Sequence, residues 1–192
     1  MTSIRTGLLG LVALLALALV GPAGAAAAEW QHEGSALEEH VEIGLFGSQV
    51  FTTSAGSMIC EAEATLTAEP GSTGRVTNVK TNKCMGLSGS LVGCTVVRTE
   101  QPAGPWAVDV NATDLTATEV TLMRTFNSGC AVKQIESSIP ELTTLLVEPE
   151  SITEIEYFGN GSASVNGGPA GAYEVVGSWF VAGEASGTYG IG

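Results

Sequence analysis

From Met58 onward the chain alternates between apolar and polar positions. Met58, Cys60, Ala62, Ala64 and Leu66 share one parity, and Ser57, Ile59, Glu61, Glu63, Thr65 and Thr67 take the other. A period of two is that of a strand with one face in a core and one in water. Pro70-Gly71-Ser72-Thr73-Gly74 then supplies a turn. The rhythm recurs: Arg75 to Lys83 reads as a strand, and so does Leu91 to Thr99. After the breaker Gln101–Pro105, Trp106, Val108 and Val110 alternate as core positions against Ala107, Asp109 and Asn111. Leu115 to Phe126 is Thr-rich and β-branched, and Asn127-Ser128-Gly129 ends it. Leu142 to Val147, Ile152 to Phe158, Ser162 to Asn166, Tyr173 to Ala182 and Ala185 to Ile191 continue the series. Ser35 to His40 has the makings of a single helical turn.

About ten short strands with Gly-rich turns and no alternating helices predict an all-β fold. The expected architecture is an antiparallel β-sandwich or a partly open barrel.

The first residues are different in kind. Arg5 is followed by an unbroken apolar run of 13 residues, Leu8 to Val20, then Gly21-Pro22 and small residues from Ala23 to Ala28. That order is the pattern of a cleavable secretory signal over residues 1–28, helical in its apolar centre, with Ala26-Ala27-Ala28 as the expected cleavage site. A membrane-spanning helix wants about 20 apolar residues, more than this run offers. No cysteine follows the run before Cys60, so lipid attachment at the cleavage point is not expected. Residues 29–192 then form a single secreted domain, large enough to build its own core.

Export changes how charge and cysteines read. All 20 acidic residues lie beyond residue 28, and without Arg5 only six basic ones oppose them, a net −14. Such a surface repels phosphate backbones and anionic headgroups, so neither nucleic acid nor an embedded membrane position is expected for the mature domain. An extracellular or cell-surface ligand fits better. In an oxidising compartment Cys60, Cys84, Cys94 and Cys130 suggest two disulfides, with three pairings open. Cys84 and Cys94 flank the short segment Met85–Ser90 and are expected to close locally, leaving Cys60 to pair with Cys130.

The layout Trp30…Gly34…Leu37, Met58-Ile59-Cys60, Pro70-Gly71-Ser72-Thr73-Gly74, Gly93-Cys94-Thr95-Val96, Gly104-Pro105-Trp106 and Gly187-Thr188-Tyr189-Gly190 resembles a family of secreted all-β proteins of soil bacteria whose function is unknown. The resemblance implies export and an all-β fold. It carries no activity.

Chemistry-bearing motifs are sparse. Gly86-Leu87-Ser88-Gly89-Ser90 approaches a nucleophile elbow but lacks the second glycine in place. His32, Glu33 and His40 do not have the four-residue histidine spacing of a helical metal site. Asp109-Val110-Asn111-Ala112-Thr113-Asp114 has a trace of calcium-loop spacing without its glycine or distal Glu. No catalytic residue, metal ligand or cofactor site is assigned. Glu61 and Glu63 share one strand face, as do Glu154 and Glu156. Positions two apart on a strand lie about 6.5–7 Å apart, within the range a glycosidase uses. Such an enzyme also sets its carboxylates in unlike environments across a cleft, which neighbours on one solvated face do not provide. Trp106 is expected in the core, and one of Trp179 and Phe180 at the surface. Asn111 and Asn160 match the glycosylation acceptor pattern.

The expected function is therefore a secreted or cell-surface β protein with a binding or structural role. Alternatives are a carbohydrate-active enzyme using Glu61 and Glu63, and a calcium-dependent adhesion module.

Overall fold

The computed structural model describes residues 28–182 and 188–192. The expected leader helix and expected cleavage segment lie outside these residues apart from Ala28, as does the start of the strand expected from Ala185. The strands are β1 (Trp30–His32), β2 (Ser35–Ala36), β3 (Val41–Thr53), β4 (Gly56–Ala68), β5 (Thr73–Gly86), β6 (Val96–Glu100), β7 (Trp106–Val110), β8 (Asp114–Phe126), β9 (Gln134–Leu146), β10 (Glu154–Val165), β11 (Ala170–Val181) and β12 (Tyr189–Ile191). The fold is all-β and antiparallel, as the alternation predicts, and the main sheet closes on itself. Its order is β8-β7-β5-β4-β3-β11-β10-β9, and β9 returns to pair with β8, giving an eight-stranded barrel.

Each barrel strand pairs with its neighbour in the chain, an up-and-down meander that leaves no long open edge. β6 and β7 together occupy one stave. Val96–Glu100 pairs with the end of β8 and Ala107–Val110 with its beginning, so the breaker Gln101–Pro105 interrupts the stave without ending it.

The alternation of β4 and β7 carries over directly. Met58, Cys60, Ala62, Ala64 and Leu66 are buried, as are Trp106, Val108 and Val110. Several boundaries differ. Residues 41–53 and 134–141 are strand where no strand is expected from the alternation. Ile152–Phe158 and Ser162–Asn166 merge into β10, because the Gly159–Gly161 segment stays in the sheet. A Cβ at residue 161 would collide with the Ser138 carbonyl, so glycine there permits the close approach of β9. The strand expected from Leu91 begins only at Val96, and Gly89–Leu91 forms a 3₁₀ turn. Ser35–His40 makes no helical turn, since Ser35–Ala36 pairs with β1.

Both mouths are closed. At one, β12, β1 and β2 form a small sheet that places Trp30, Tyr189 and Ile191 in the core. Trp30 Nε1 donates to the Thr73 carbonyl at 2.7 Å. At the other mouth the 3₁₀ turn brings Leu91 inside, fully buried.

Two disulfides are present, but not in the expected pairing. Cys60 joins Cys84, and Cys94 joins Cys130, with Cα separations of 4.0 and 5.0 Å. The reason lies in β5. Its alternation is broken at Asn78 and Lys83, both with positive φ, and the β4–β5 register shifts beside each. The second break turns Cys84 inward, opposite Cys60 on the neighbouring strand. Cys94 precedes β6, which pairs with the end of β8, and so lies beside the loop after Phe126 that holds Cys130.

Candidate functional site

Closing the barrel gathers polar side chains from strands distant in sequence into an otherwise apolar interior. Arg124 on β8 points inward between Leu122 and Phe126 and is 1% exposed. Its Nη1 donates to Tyr173 Oη at 3.2 Å and to Ser137 Oγ at 3.5 Å. The guanidinium carbon lies 4.4 Å from the centroid of the Phe51 ring. Tyr157 Oη donates to Gln49 Oε1 at 3.4 Å, and the Tyr157 and Trp179 ring centroids are 4.5 Å apart. Burial, chiefly, pushes the Tyr157 phenol well above its ordinary pKa; Tyr173 adds to the rise and Arg124 opposes it.

Three buried atoms of this cluster have no hydrogen-bond partner among the described residues: Arg124 Nε, Gln49 Nε2 and Trp179 Nε1. All three are donors. Their side chains are among those that line one internal cavity of about 20 Å³, whose lining contains no carboxylate. Nothing in the alternation singles these residues out, and the charge at Arg124 on an inward parity is the one signal that a sequence reading can use.

The outer face has its own feature. Phe46 and Val50 on β3, Val176 and Phe180 on β11, Phe158 on β10 and Leu145 on β9 all project outward, and most are about half exposed. They are neighbours across the sheet. Phe180 pairs with Phe46, and Val176 pairs with Val50 on one side and Phe158 on the other. The Phe46 and Phe180 rings lie 5.8 Å apart. Between these side chains Ser48, Gly177 and Ser178 form the floor of an open groove of about 450 Å³. β3, β9, β10 and β11 contain no Lys or Arg, while Glu42, Glu136, Glu141, Glu154, Glu156 and Glu174 belong to them.

Glu61 and Glu63 stand side by side on the convex outer face of β4. Lys83 Nζ approaches Glu61 at 2.9 Å, and Asn82 Nδ2 donates to Glu63 at 3.3 Å. Glu154 and Glu156 sit on the outside of β10, and Glu156 lines the apolar groove. His32 stacks on Tyr189 with ring centroids 4.9 Å apart, whereas His40 lines a separate acidic groove with Glu38, Glu39, Glu42 and Glu69. No group of three or more potential metal ligands occurs among the described residues. Asn111 bonds Asp114 through its side chain at 2.7 Å, so Asp109–Asp114 closes the β7–β8 hairpin. Ser88 Oγ accepts from the Ser57 amide at 3.0 Å and ties the 3₁₀ turn to β4. Trp179 is inside and Phe180 outside, which resolves that pair.

The fold and these features define a closed, eight-stranded antiparallel β-barrel with a buried basic centre and an apolar outer stripe. No protein-family model, curated protein or solved structure matches the chain.

Proposed function

We propose that this chain is an exported binding protein that docks a protein partner through the outer face of β9, β10, β11 and β3. The apolar stripe from Phe46 to Leu145, set in a half of the barrel that carries acids and no base, is the observation that supports it. Large contiguous apolar patches rimmed by polar groups mark interaction surfaces. The acidic rim selects a partner with basic residues around an apolar centre, and it opposes self-association through the same face. Elsewhere the outer face bears Glu61, Glu63, Lys80 and Lys83, charges that a lipid-facing strand does not carry at the membrane midplane. Two disulfides, and the absence of a long apolar helix among the described residues, are in keeping with an extracellular setting.

A photo-crosslinking residue at position 158 or 180, with position 65 on β4 as control, tests the docking face. The expected result is one adduct specific to positions 158 and 180, mapping to a basic segment of the partner and weakening as salt is raised. Equal labelling from position 65, or adducts only between copies of this chain, would refute the assignment.

A further inference from the structure

The buried positive charge of Arg124 lacks a counter-charge. None of the ion pairs among the described residues involves it. Its two polar contacts are with neutral hydroxyls, and the Phe51 ring offers only the partial compensation of a cation–π contact. Tyr157, a second phenol of the cluster, is held in its neutral form by burial. Desolvating a guanidinium without a paired anion is among the most costly arrangements a core can hold. Around it, every orphaned polar atom is an N–H: Arg124 Nε, Gln49 Nε2 and Trp179 Nε1. Three side chains with unmatched donors and a net positive charge around one small cavity make the electrostatic complement of an anion, since water would leave the charge uncompensated.

We infer that the barrel interior is a binding site for one small inorganic anion of halide size, held by Arg124, Gln49 and Trp179. The cavity of about 20 Å³ sets the class of ligand. It admits a species of about the size of one water molecule and excludes sulfate, gluconate or any organic carboxylate. Because Leu91 and Trp30 close the two mouths, exchange requires local opening of the barrel, so the ion acts as a slowly exchanging part of the fold.

Thermal melting of the purified protein in sodium chloride, bromide and gluconate at one constant ionic strength tests this, since screening is then common to all three. Tm should rise by roughly 5–10 °C per hundredfold increase in chloride or bromide above its dissociation constant as the halide replaces gluconate. Arg124→Met, which replaces the charge with an apolar side chain of similar length, should abolish the halide dependence. A halide dependence that survives in Arg124→Met places the ion elsewhere and overturns the assignment. Crystals of the unaltered protein grown in bromide after equilibration in that salt give a readout that does not depend on any variant folding. An anomalous peak between Arg124, Gln49 and Trp179 is expected. Its absence, with ordinary water density in its place, refutes the site.

Discussion

Gly177 on β11 lies directly opposite Tyr157 on β10, and the Tyr157 ring occupies the space that a side chain at 177 would need. A Cβ there would sit 2.6 Å from both Cζ and Oη of Tyr157, and it would also press on the Ser48 carbonyl. Gly177→Ala should therefore overpack the interior and cost about 1–3 kcal/mol. Urea unfolding of the variant measures it. Truncating Tyr157 as well should recover only part of that cost, because the conflict with the Ser48 backbone remains.

The same tyrosine makes stability depend on alkaline pH. Its phenol is raised in the folded state above the ordinary value of 10.0, mainly by burial. An acid whose folded pKa is raised contributes stability that is complete below the unfolded pKa and lost as pH climbs toward the folded one. The loss should begin near pH 10 at up to about 1.4 kcal/mol per pH unit. Tyr173 and Arg124 face the phenol and set the rest of its field. Tyr157→Phe should remove this component of the decline. Phenolate absorbance just above pH 10 should be the same in Tyr157→Phe as in the unaltered protein while the fold persists.

What the sequence discloses depends on whether inward positions are the more apolar ones. On β4 they are, so the strand and its buried face follow from alternation alone. On β3 the contrast fails midway, between the inward Ile43 and Leu45 and the inward Phe51. The inward residues include Gly47 and Gln49, while Phe46 and Val50 point outward, so period two is present but hydrophobicity does not trace it. On β9 and β8 paired irregularities at Pro140–Glu141 and at Glu119, which has positive φ, shift the parity midway and hide half a strand. The interior cluster is harder still. Gln49, Arg124 and Trp179 come from three strands, and only closure of the barrel makes them neighbours. The glutamates are the opposite case. Their shared face on β4 is legible locally, but its position on the convex outside of a closed sheet is a property of the whole fold.

The disulfides show what that lost parity costs a sequence reading, and they lead to a stability prediction. Peptide mapping without reduction should recover Cys60 with Cys84 and Cys94 with Cys130. The sequence separations are 24 and 36 residues, for which loop-closure entropy gives about 3–4 kcal/mol each. Replacing Cys94 and Cys130 together by serine should lower unfolding stability by that amount. The bond anchors the turn that seats Leu91, so the double variant should also exchange its barrel amides faster. Near-equal stability with and without this bond would mean that the 3₁₀ turn holds the mouth shut by itself.

Trp30 closes the opposite mouth in two separable ways, by volume and by one hydrogen bond. Its side chain is 1% exposed, and its indole N–H donates to the Thr73 carbonyl at the start of β5. Trp30→Phe keeps most of the packing and removes one of two donors to that carbonyl, which still accepts from the Glu69 amide, so about 0.5–1.5 kcal/mol is expected. Trp30→Ala also removes the plug, so about 3–5 kcal/mol is expected. Pairing of β1 with β12 depends on the same residue, since Trp30 is in register with Ile191. Hydrogen exchange should then show β1 and β12 losing protection in Trp30→Ala while β3 and β4 keep theirs. Uniform loss across the barrel would mean that the terminal sheet and the barrel unfold as one unit, with Trp30 as part of the common core.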